Sequence, residues 1–531
     1  MTNINLPNIP EADRSPVVAM LLNVIDRQHQ TIEKLKSDVC ALKDEIKRLK
    51  NHPKQPKLRP SKMDKNDRRD KSDDSDHKRA GSQKRKKHAN LAIHQTQIIK
   101  AQDIPSTAEF KGYDEFVVQD IDISVVNTNY KLERWRLPNG EYCVGKLPEY
   151  LQGKHFGPTL RSFVLYQYHH LCATQPLLLD QLRELGVDIS SGQLNRLLIE
   201  DQEAFHEEKD ALLRVGLSVS PYIHVDDTGA RHQAKNGYCT HIGNELFAWF
   251  KSTASKSRVN FLQLLQAGYT GYRVDAHALD YMRQHRLPAE PLKRLSSHLG
   301  NFADDASWEC HLNRLGIVTA RHITITSEGA LIACILSHGV NIDLSIISDD
   351  AGQFNVFHHA LCWIHAERKI NGLIPLNKQH AAAVHGIRHF FWLFYDDLKA
   401  YKQSPSEEKK ELLRQQFDAL CNTQTCFETL NQVLKRLKRN KEELLRVLDK
   451  PELPLHNNLS ERDIREYVKR RKVSGGTRSD EGRLCRDTFA SLKKTCKKLK
   501  IRFWDYLQDR ILGTQAIPQL SFLVDQAASA K

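Results

Sequence analysis

No apolar run in the 531 residues approaches the roughly 20 needed to cross a bilayer; the longest lies around Ala330 to Leu336. That excludes an integral membrane protein built of helices. The opening segment, MTNINLPNIPEADRSP, has neither the basic start nor the apolar stretch of a secretory signal, so export is not expected. The eleven cysteines form no CxxC pair and no regular framework, which predicts reduced thiols in a cytoplasm, serving as small core residues rather than staples.

Charge is what the chain does have. Lys and Arg number 79 against 65 Asp and Glu, a net charge of +14. The excess sits in two zones: residues 51–90 carry 14 basic and 6 acidic side chains, and residues 461–510 carry 16 and 8, so each is net +8. The rest of the chain is close to neutral, at about −2. Two cationic zones on a near-neutral body point to a polyanionic partner met at defined places.

Leu21, Ile25, Gln28, Ile32, Leu35, Val39, Leu42, Ile46 and Leu49 follow one another at alternating steps of four and three, the seam of a coiled coil. β-Branched residues at a and Leu at d favour a parallel dimer, and Asp38 and Glu45 at g oppose Lys43 and Lys50 at e. A single amphipathic helix packed on its own domain is the competing explanation. Residues 51–95 have almost nothing to bury and read as a flexible basic tether, either a plain linker or an arm that meets DNA phosphates.

After a β-rich stretch (EFVVQDIDISVV, then YKLERWRLPNGEYCV turning at Asn139-Gly140), QPLLLDQLRELGVDISSGQLNRLLIEDQ reads as helix, turn, helix. Leu178, Leu182 and Leu185 face inward, Gly186 permits the turn, Ile189 plugs the corner, and Ser190 or Ser191 caps the second helix. Gln193, Asn195 and Arg196 then stand where a recognition helix would reach base edges. Helical hairpins are also common in proteins that never touch DNA.

Two strand patterns end in double acids: SPYIHVDDTGARH at Asp226-Asp227, and IDLSIISDDAGQF at Asp349-Asp350. NGYCTHIGNELFAWFKS reads as a hairpin turning at Gly243-Asn244. PLHNNLSERDIREYVKRRK opens a helix at Asn457 or Asn458 with Glu461 in its first turn. Carboxylates on two adjacent strands, joined by one from a helix, are what two-metal phosphoryl transfer wants, with Mg²⁺ ions about 3.5 to 4 Å apart. Each acid has an ordinary reading beside this. Acids at strand ends are usually turn residues, and Asn458-x-x-Glu461 matches a helix capping box.

The pieces HVDDTG, SDDAGQF, LCWIHAERK and NNLSERDIREYVKRRKVSGGTRSDEGRLCRDTFASLKKT together resemble, in order and spacing over residues 160–515, the DDE transposases of bacterial insertion sequences, the group usually numbered sixty-six. The resemblance implies an α/β protein: an RNase H-like mixed-sheet catalytic core with an α-helical insertion, preceded by a coiled coil and a helical DNA-binding region. It implies Asp226, Asp349 and Glu461 as the catalytic, metal-holding triad, with Asp227 and Asp350 as fallbacks, because a one-residue slip along a strand turns the side chain to the other face. It implies two Mg²⁺ ions, or Mn²⁺ in their place. Cys362, Trp363, His365, Arg368 and Lys369 match the family's CWxHxxRK motif, supporting the active site or DNA contact; a strand-to-helix packing motif is the plain reading. A lone C-x-x-H is too small for a complete structural zinc site, though His358 and His359 stand nearby.

Two departures stand out. Relatives often carry paired cysteines ahead of the helix pair, and here Cys143 stands alone, so no zinc is assigned. Residues 266–337 exceed what the core requires and add Asp275, Asp280, Asp304 and Asp305 as competing acids. The expected organisation is a flexible N-terminus (1–20), zipper (21–50), basic linker (51–95), small β-rich segment (96–159), helix-turn-helix-like region (160–215), first part of the core (216–375), α-helical insertion (376–450), closing helices (451–515) and tail (516–531). On the glutamate helix, Arg465, Lys469 and Lys472 share a face with Glu461 and would meet DNA phosphates, as would Arg478 in the SGGTRSDEGR turn, whose glycines allow close approach of backbone to phosphate. The expected activity is cleavage at the ends of an element and transfer of the freed 3′-hydroxyls to target DNA, by a cytoplasmic, nucleoid-associated homodimer or higher assembly bound to terminal repeats. A non-catalytic dimeric DNA-binding protein and an RNase H-like nuclease or resolvase are the alternatives.

Overall fold

The computed structural model describes Val24 and Gln28, both helical, and residues 92–102, 105 and 108–530. The rest of the zipper seam and the linker up to residue 91 lie outside the described residues. The chain divides into two units, Met1–Gln119 and Asp120–Lys531. Among the described residues no helix is long and apolar enough to cross a membrane.

The second unit begins with a small hairpin, β1 (Arg134–Arg136) and β2 (Tyr142–Val144), and four helices: α1 (Pro158–His169), α2 (Gln175–Glu184), α3 (Ser191–Ile199) and α4 (Glu203–Val219). Strands β3 (Tyr222–His232), β4 (Lys235–Gly243) and β5 (Ala248–Thr253) follow. Next come α5 (Arg258–Leu265), β6 (Tyr272–Val274), α6 (Ala276–Gln284), α7 (Ala289–Ser296), β7 (Gly300–Phe302), α8 (Asp305–Arg314) and α9 (Ala320–Ser337). Strands β8 (Ser345–Ser348) and β9 (His358–Leu361) complete the main sheet. Helices α10 (Trp363–Asn371), α11 (Lys378–Gln403), α12 (Glu407–Asn422), α13 (Glu428–Arg439), α14 (Lys441–Leu444), α15 (Asn458–Ser474), α16 (Asp480–Lys498), α17 (Phe503–Leu512) and α18 (Leu520–Ser529) close the chain.

The main sheet is mixed, with strand order β5-β4-β3-β8-β9. β3, β4 and β5 are antiparallel neighbours, whereas β8 runs parallel to β3 and β9 parallel to β8. The β3–β4 hairpin turns at Gln233-Ala234, both at positive φ (48° and 61°), the backbone a two-residue turn needs to match strand twist. This hairpin corrects one expectation: Asp226 and Asp227 lie in the middle of a long strand, not at its end. A second correction concerns residues 115–126, which form no strand. Phe116 and Ile121 there are 88% and 81% exposed, since alternating apolar residues need a paired edge to become a strand.

One face of the sheet (Ile223, Val225, Ile242, Trp249, Ile346) packs into a single cluster with α1 to α9 and α16 to α18. The helix pair α2–α3 therefore shares its core with the sheet: Leu178, Leu182, Ile189, Leu194 and Leu198 all belong to that cluster. The run around Ala330 to Leu336 lies in α9, a helix apolar on all sides, as befits one packed through a core. Helices α10 to α13 build a second core around Trp363, Phe391, Phe394 and Phe417. The other sheet face meets α15 through Ala230, Cys239, Phe250, Ile464 and Tyr467.

Close packing between α4 and the sheet depends on Gly216, where an added Cβ would lie 2.5 Å from the Phe247 ring. Gly216→Ala is expected to destabilise the protein by about 1–3 kcal/mol through overpacking, read as a lowered thermal midpoint; an unchanged midpoint would show that this interface yields freely.

Candidate active site

Side-chain alternation along β3 separates the two adjacent acids. Asp227 pairs across the hairpin with Thr240, and its carboxylate accepts the Thr240 hydroxyl at 2.5 Å and the Gln353 amide at 3.0 Å. Asp226 pairs with His241 on the opposite face, toward α15, and its Oδ1 accepts the Asp227 backbone N–H at 2.8 Å. Asp349 and Asp350 separate in the same way just beyond β8. Asp350 is gripped by Lys369, by Arg436 at 2.6 Å and by Asn440 at 3.2 Å, while Asp349 Oδ1 accepts the Ala351 N–H at 3.1 Å. Burial would raise the Asp350 carboxyl, but Lys369 and Arg436 outweigh it and hold it below the usual range. Asp227 and Asp350 are thus committed to local structure, leaving Asp226 and Asp349 the freer partners.

Burial, with Asp349, Asp227 and Glu461 close by, pushes the Asp226 carboxyl from 3.8 up to about 7, against the opposing Asp227 N–H bond. Asp463, one turn along α15, is similarly buried yet shifts the other way. His241 lies 3.2 Å from it, Lys494 3.2 Å and Lys498 2.6 Å, and together they overcome its desolvation. The contrast locates a cluster of acids at Asp226 that, among the described residues, no cation offsets as Lys498 and Lys494 offset Asp463.

Glu461 comes from the first turn of α15. It does not form a capping box: the N-cap is Asn457, whose side chain makes no cap hydrogen bond. Glu461 Oε1 instead lies 3.0 Å from Arg368 and 3.4 Å from His365, both on α10, with Arg465 at 4.0 Å from Oε2. Arg368 also donates to His365 Nε2 at 3.1 Å. Burial and Arg368 lower the His365 imidazole, against Asp349 and Glu461, which raise it. Among the described residues no three His, Cys, Asp or Glu side chains converge as a metal cluster would. The oxygen donors of Asp226 and Asp349, and the uncompensated charge around Asp226, fit a hard divalent cation. Glu461 fits only after leaving Arg368.

Asn457 is the residue that the sequence reading used only as a possible helix start. Its Nδ2 donates to Val225 O at 2.8 Å, its Oδ1 lies 2.9 Å from His224 Nδ1, and its backbone N–H reaches Cys362 Sγ at 3.1 Å. One buried residue thereby ties the start of α15 to the strand of Asp226 through its side chain and to the start of α10 through its backbone N–H. Cys362 is accordingly a buried packing and hydrogen-bonding residue, and Trp363 is anchored through its Nε1 to Leu444 O at 2.9 Å.

On α15, Arg465, Lys469 and Lys472 are exposed, as is Arg462 beside them and Arg478 beyond. Arg470 and Arg471 are structural: Arg470 donates to Tyr168 O at 2.6 Å and stacks 3.9 Å over the Tyr168 ring, while Arg471 donates to Gly229 O. In the glycine turn, a Cβ on Gly476 would lie 2.5 Å from Arg231 O, and Thr477 exchanges backbone hydrogen bonds with Arg231 and Gln233, so this glycine permits approach to the β3–β4 hairpin, while Gly475 beside it faces open space. In the α2–α3 pair, Ser190 and Gln193 form a capping box and Asn195 accepts from Gln175 at 3.0 Å; Arg196 is exposed. The competing acids are occupied. Asp275 and Asp304 cap α6 and α8, Asp280 pairs with Arg283, and Asp305 accepts from Tyr272 at 2.6 Å. Cys143 is exposed on β2.

The family model described as Transposase IS66 family matches residues 346–484, from β8 through the Asp349 segment and α10 to α15 and the start of α16. A protein of Sinorhizobium fredii (strain NBRC 101917 / NGR234), the uncharacterized protein y4jO, is 42% identical over 317 residues, covering 59% of this chain and 99% of that relative. The chain belongs to the IS66 family of transposases. In this IS66 family member, Asp349, Glu461 and the α10 cations lie within the matched span, and Asp226 precedes it.

Two outcomes follow from this geometry. Because the folded-state pKa of Asp226 is raised, the folded chain holds that proton more tightly than the unfolded one, so its stability is full below about pH 4 and is lost as pH rises toward 7. In metal-free buffer, Asp226→Asn should gain on the wild type across that window, by up to about 4 kcal/mol; parallel urea-unfolding profiles for the two proteins would contradict this. Asn457→Ala leaves Val225 O and His224 Nδ1 without partners and should cost at least about 2 kcal/mol, measured by the same unfolding, with a cost below 0.5 kcal/mol counting against the clamp.

Proposed function

We propose that this chain is a DDE transposase with an RNase H-like core that hydrolyses the phosphodiester at each end of its element and directs the freed 3′-hydroxyl onto target DNA. The observation carrying this is that Asp349 and Glu461, from two other segments far apart in sequence, lie close enough to Asp226 to raise its carboxyl, with no cation among the largest influences on it. The sheet supports it further: three antiparallel strands followed by two parallel ones, with acids on the central strand and just past its parallel neighbour, is the framework such a core requires.

Asp226 and Asp349 would hold Mg²⁺, or Mn²⁺, joined by Glu461. Bound there, a pair of such ions supplies activation of the attacking oxygen and neutralisation of the leaving one. The protein's own groups do the positioning. Asn457 keeps α15 against β3, so Glu461 stays within reach of Asp226. Arg368, released from Glu461, is placed to meet a phosphate oxygen, and Arg465, Lys469, Lys472 and Arg478 line an exposed cationic edge that would follow the DNA backbone. Gln193, Asn195 and Arg196 on α3 would contact the terminal repeats, with Arg196 the freest of the three. The N-terminal zipper would join two protomers so that both ends are held together, and Cys362, His365 and Arg368 support the site from α10.

The triad is tested by Asp226→Ala, Asp349→Ala and Glu461→Ala. Each is expected to lower strand joining by at least about a thousandfold while DNA affinity in Ca²⁺ buffer stays within about threefold. A variant that joins DNA at the wild-type rate removes its residue from the assignment.

A further inference from the structure

Next to Glu461, between α10 and α13, lies a cavity of about 340 Å³, within the range of small-molecule pockets, roughly 300–1,000 Å³. Its lining divides by chemistry. Arg368, Lys369 and Arg436 line it together; Asp350 pairs with two of them and Glu461, beside the cavity, with Arg368, so three cations face two carboxylates and one positive charge is left over. Leu373, Val433 and Leu437 supply an aliphatic wall. His365 also lines the cavity, and its Nδ1 is buried without a hydrogen-bond partner. The aliphatic wall is the edge of the second helical core, where Leu437 is buried and Leu373 and Val433 are packed only in part, and an apolar wall facing a cationic one matches a molecule that is itself apolar at one end and anionic at the other.

We propose that this cavity seats one nucleotide of the DNA strand being cut, its phosphate on Arg368, Lys369 and Arg436 and its sugar and base against Leu373, Val433 and Leu437. The assignment rests on the DNA-cutting reading for its biological role but not for its chemistry. With Asn440 already donating to Asp350, the His365 ring is the polar group left on the lining for a base edge; the aliphatic wall offers none, so the grip falls mainly on phosphate and sugar and little base preference is expected. The arrangement also gives Arg368 a place to go on leaving Glu461: the phosphate of the seated nucleotide lies on the same wall.

The full-length protein in metal-free buffer is titrated calorimetrically with dAMP, dTMP, inorganic phosphate and deoxyadenosine. Expected are dAMP and dTMP affinities within about threefold of each other, both at least tenfold tighter than phosphate or deoxyadenosine. Val433→Trp, which fills the cavity from a half-buried position, should weaken dAMP at least tenfold, and Arg436→Gln should weaken dAMP while leaving deoxyadenosine unchanged. Equal binding of phosphate and dAMP, or dAMP binding unaltered in both variants, overturns the site. A 5′-phosphorylated tetranucleotide should displace dAMP; if it does not, the cavity serves a free nucleotide and the strand assignment fails. None of these readouts uses DNA joining, so loss of the transposase reading would leave them standing.

Discussion

The amide of Asn457 is the constraint around which the rest of the site is arranged. Three segments that carry chemistry arrive from distant parts of the chain: β3 with Asp226, the β9–α10 junction with His365 and Arg368, and α15 with Glu461. Nothing local relates them. Asn457 bonds the backbone of β3, its side chain meets His224, and its own N–H rests on Cys362. Because these groups are buried, an unmade bond would carry a full desolvation cost, so the three segments are held in one register rather than merely near one another.

Around that clamp, charge is distributed unevenly. Asp463 and Asp350 are each surrounded by cations and behave as structural anions, whereas Asp226 is surrounded by acids and is driven toward neutrality. Glu461 stands between the regimes, paired with Arg368 and beside His365 yet close enough to raise Asp226. A site poised in this way has a stored demand for positive charge. On the proposed function, the supply of that charge and the release of Arg368 from Glu461 would be opposite sides of one exchange, since a cation taking Glu461 would free a guanidinium for phosphate.

Much of this was legible from residues alone, and the limits have physical causes. The buried strands before Asp226 and Asp349, the helix pair with Gly186 at its turn, and the helix carrying Glu461 all announce themselves through periodicity and caps. The choice between adjacent acids could not be read, because it depends on which sheet face each strand presents. The continuation of β3 past Asp227 was missed because its turn is Gln233-Ala234, residues that give no turn signal although both adopt positive φ. The clamp was missed because its partners on β3 lie more than 200 residues away and Cys362 lies 95 away, and an Asn before a helix suggests a cap. The opposite error occurred at residues 115–126, where alternation suggested a strand and no neighbour pairs with it. The glycine turn suggested a ligand, and at Gly476 the lack of a side chain serves a backbone contact within the protein.

On the proposed function, these carboxylates cut and join DNA. The most direct test of this is incubation of the purified protein with DNA bearing the element's terminal repeats, in Mg²⁺ and in chelator, with nicked and joined products scored separately. Nicks at the repeat ends followed by joined products, both only with Mg²⁺, are predicted. Tight binding of the repeats with neither product in Mg²⁺ would contradict the claim and leave a DNA-binding protein in its place.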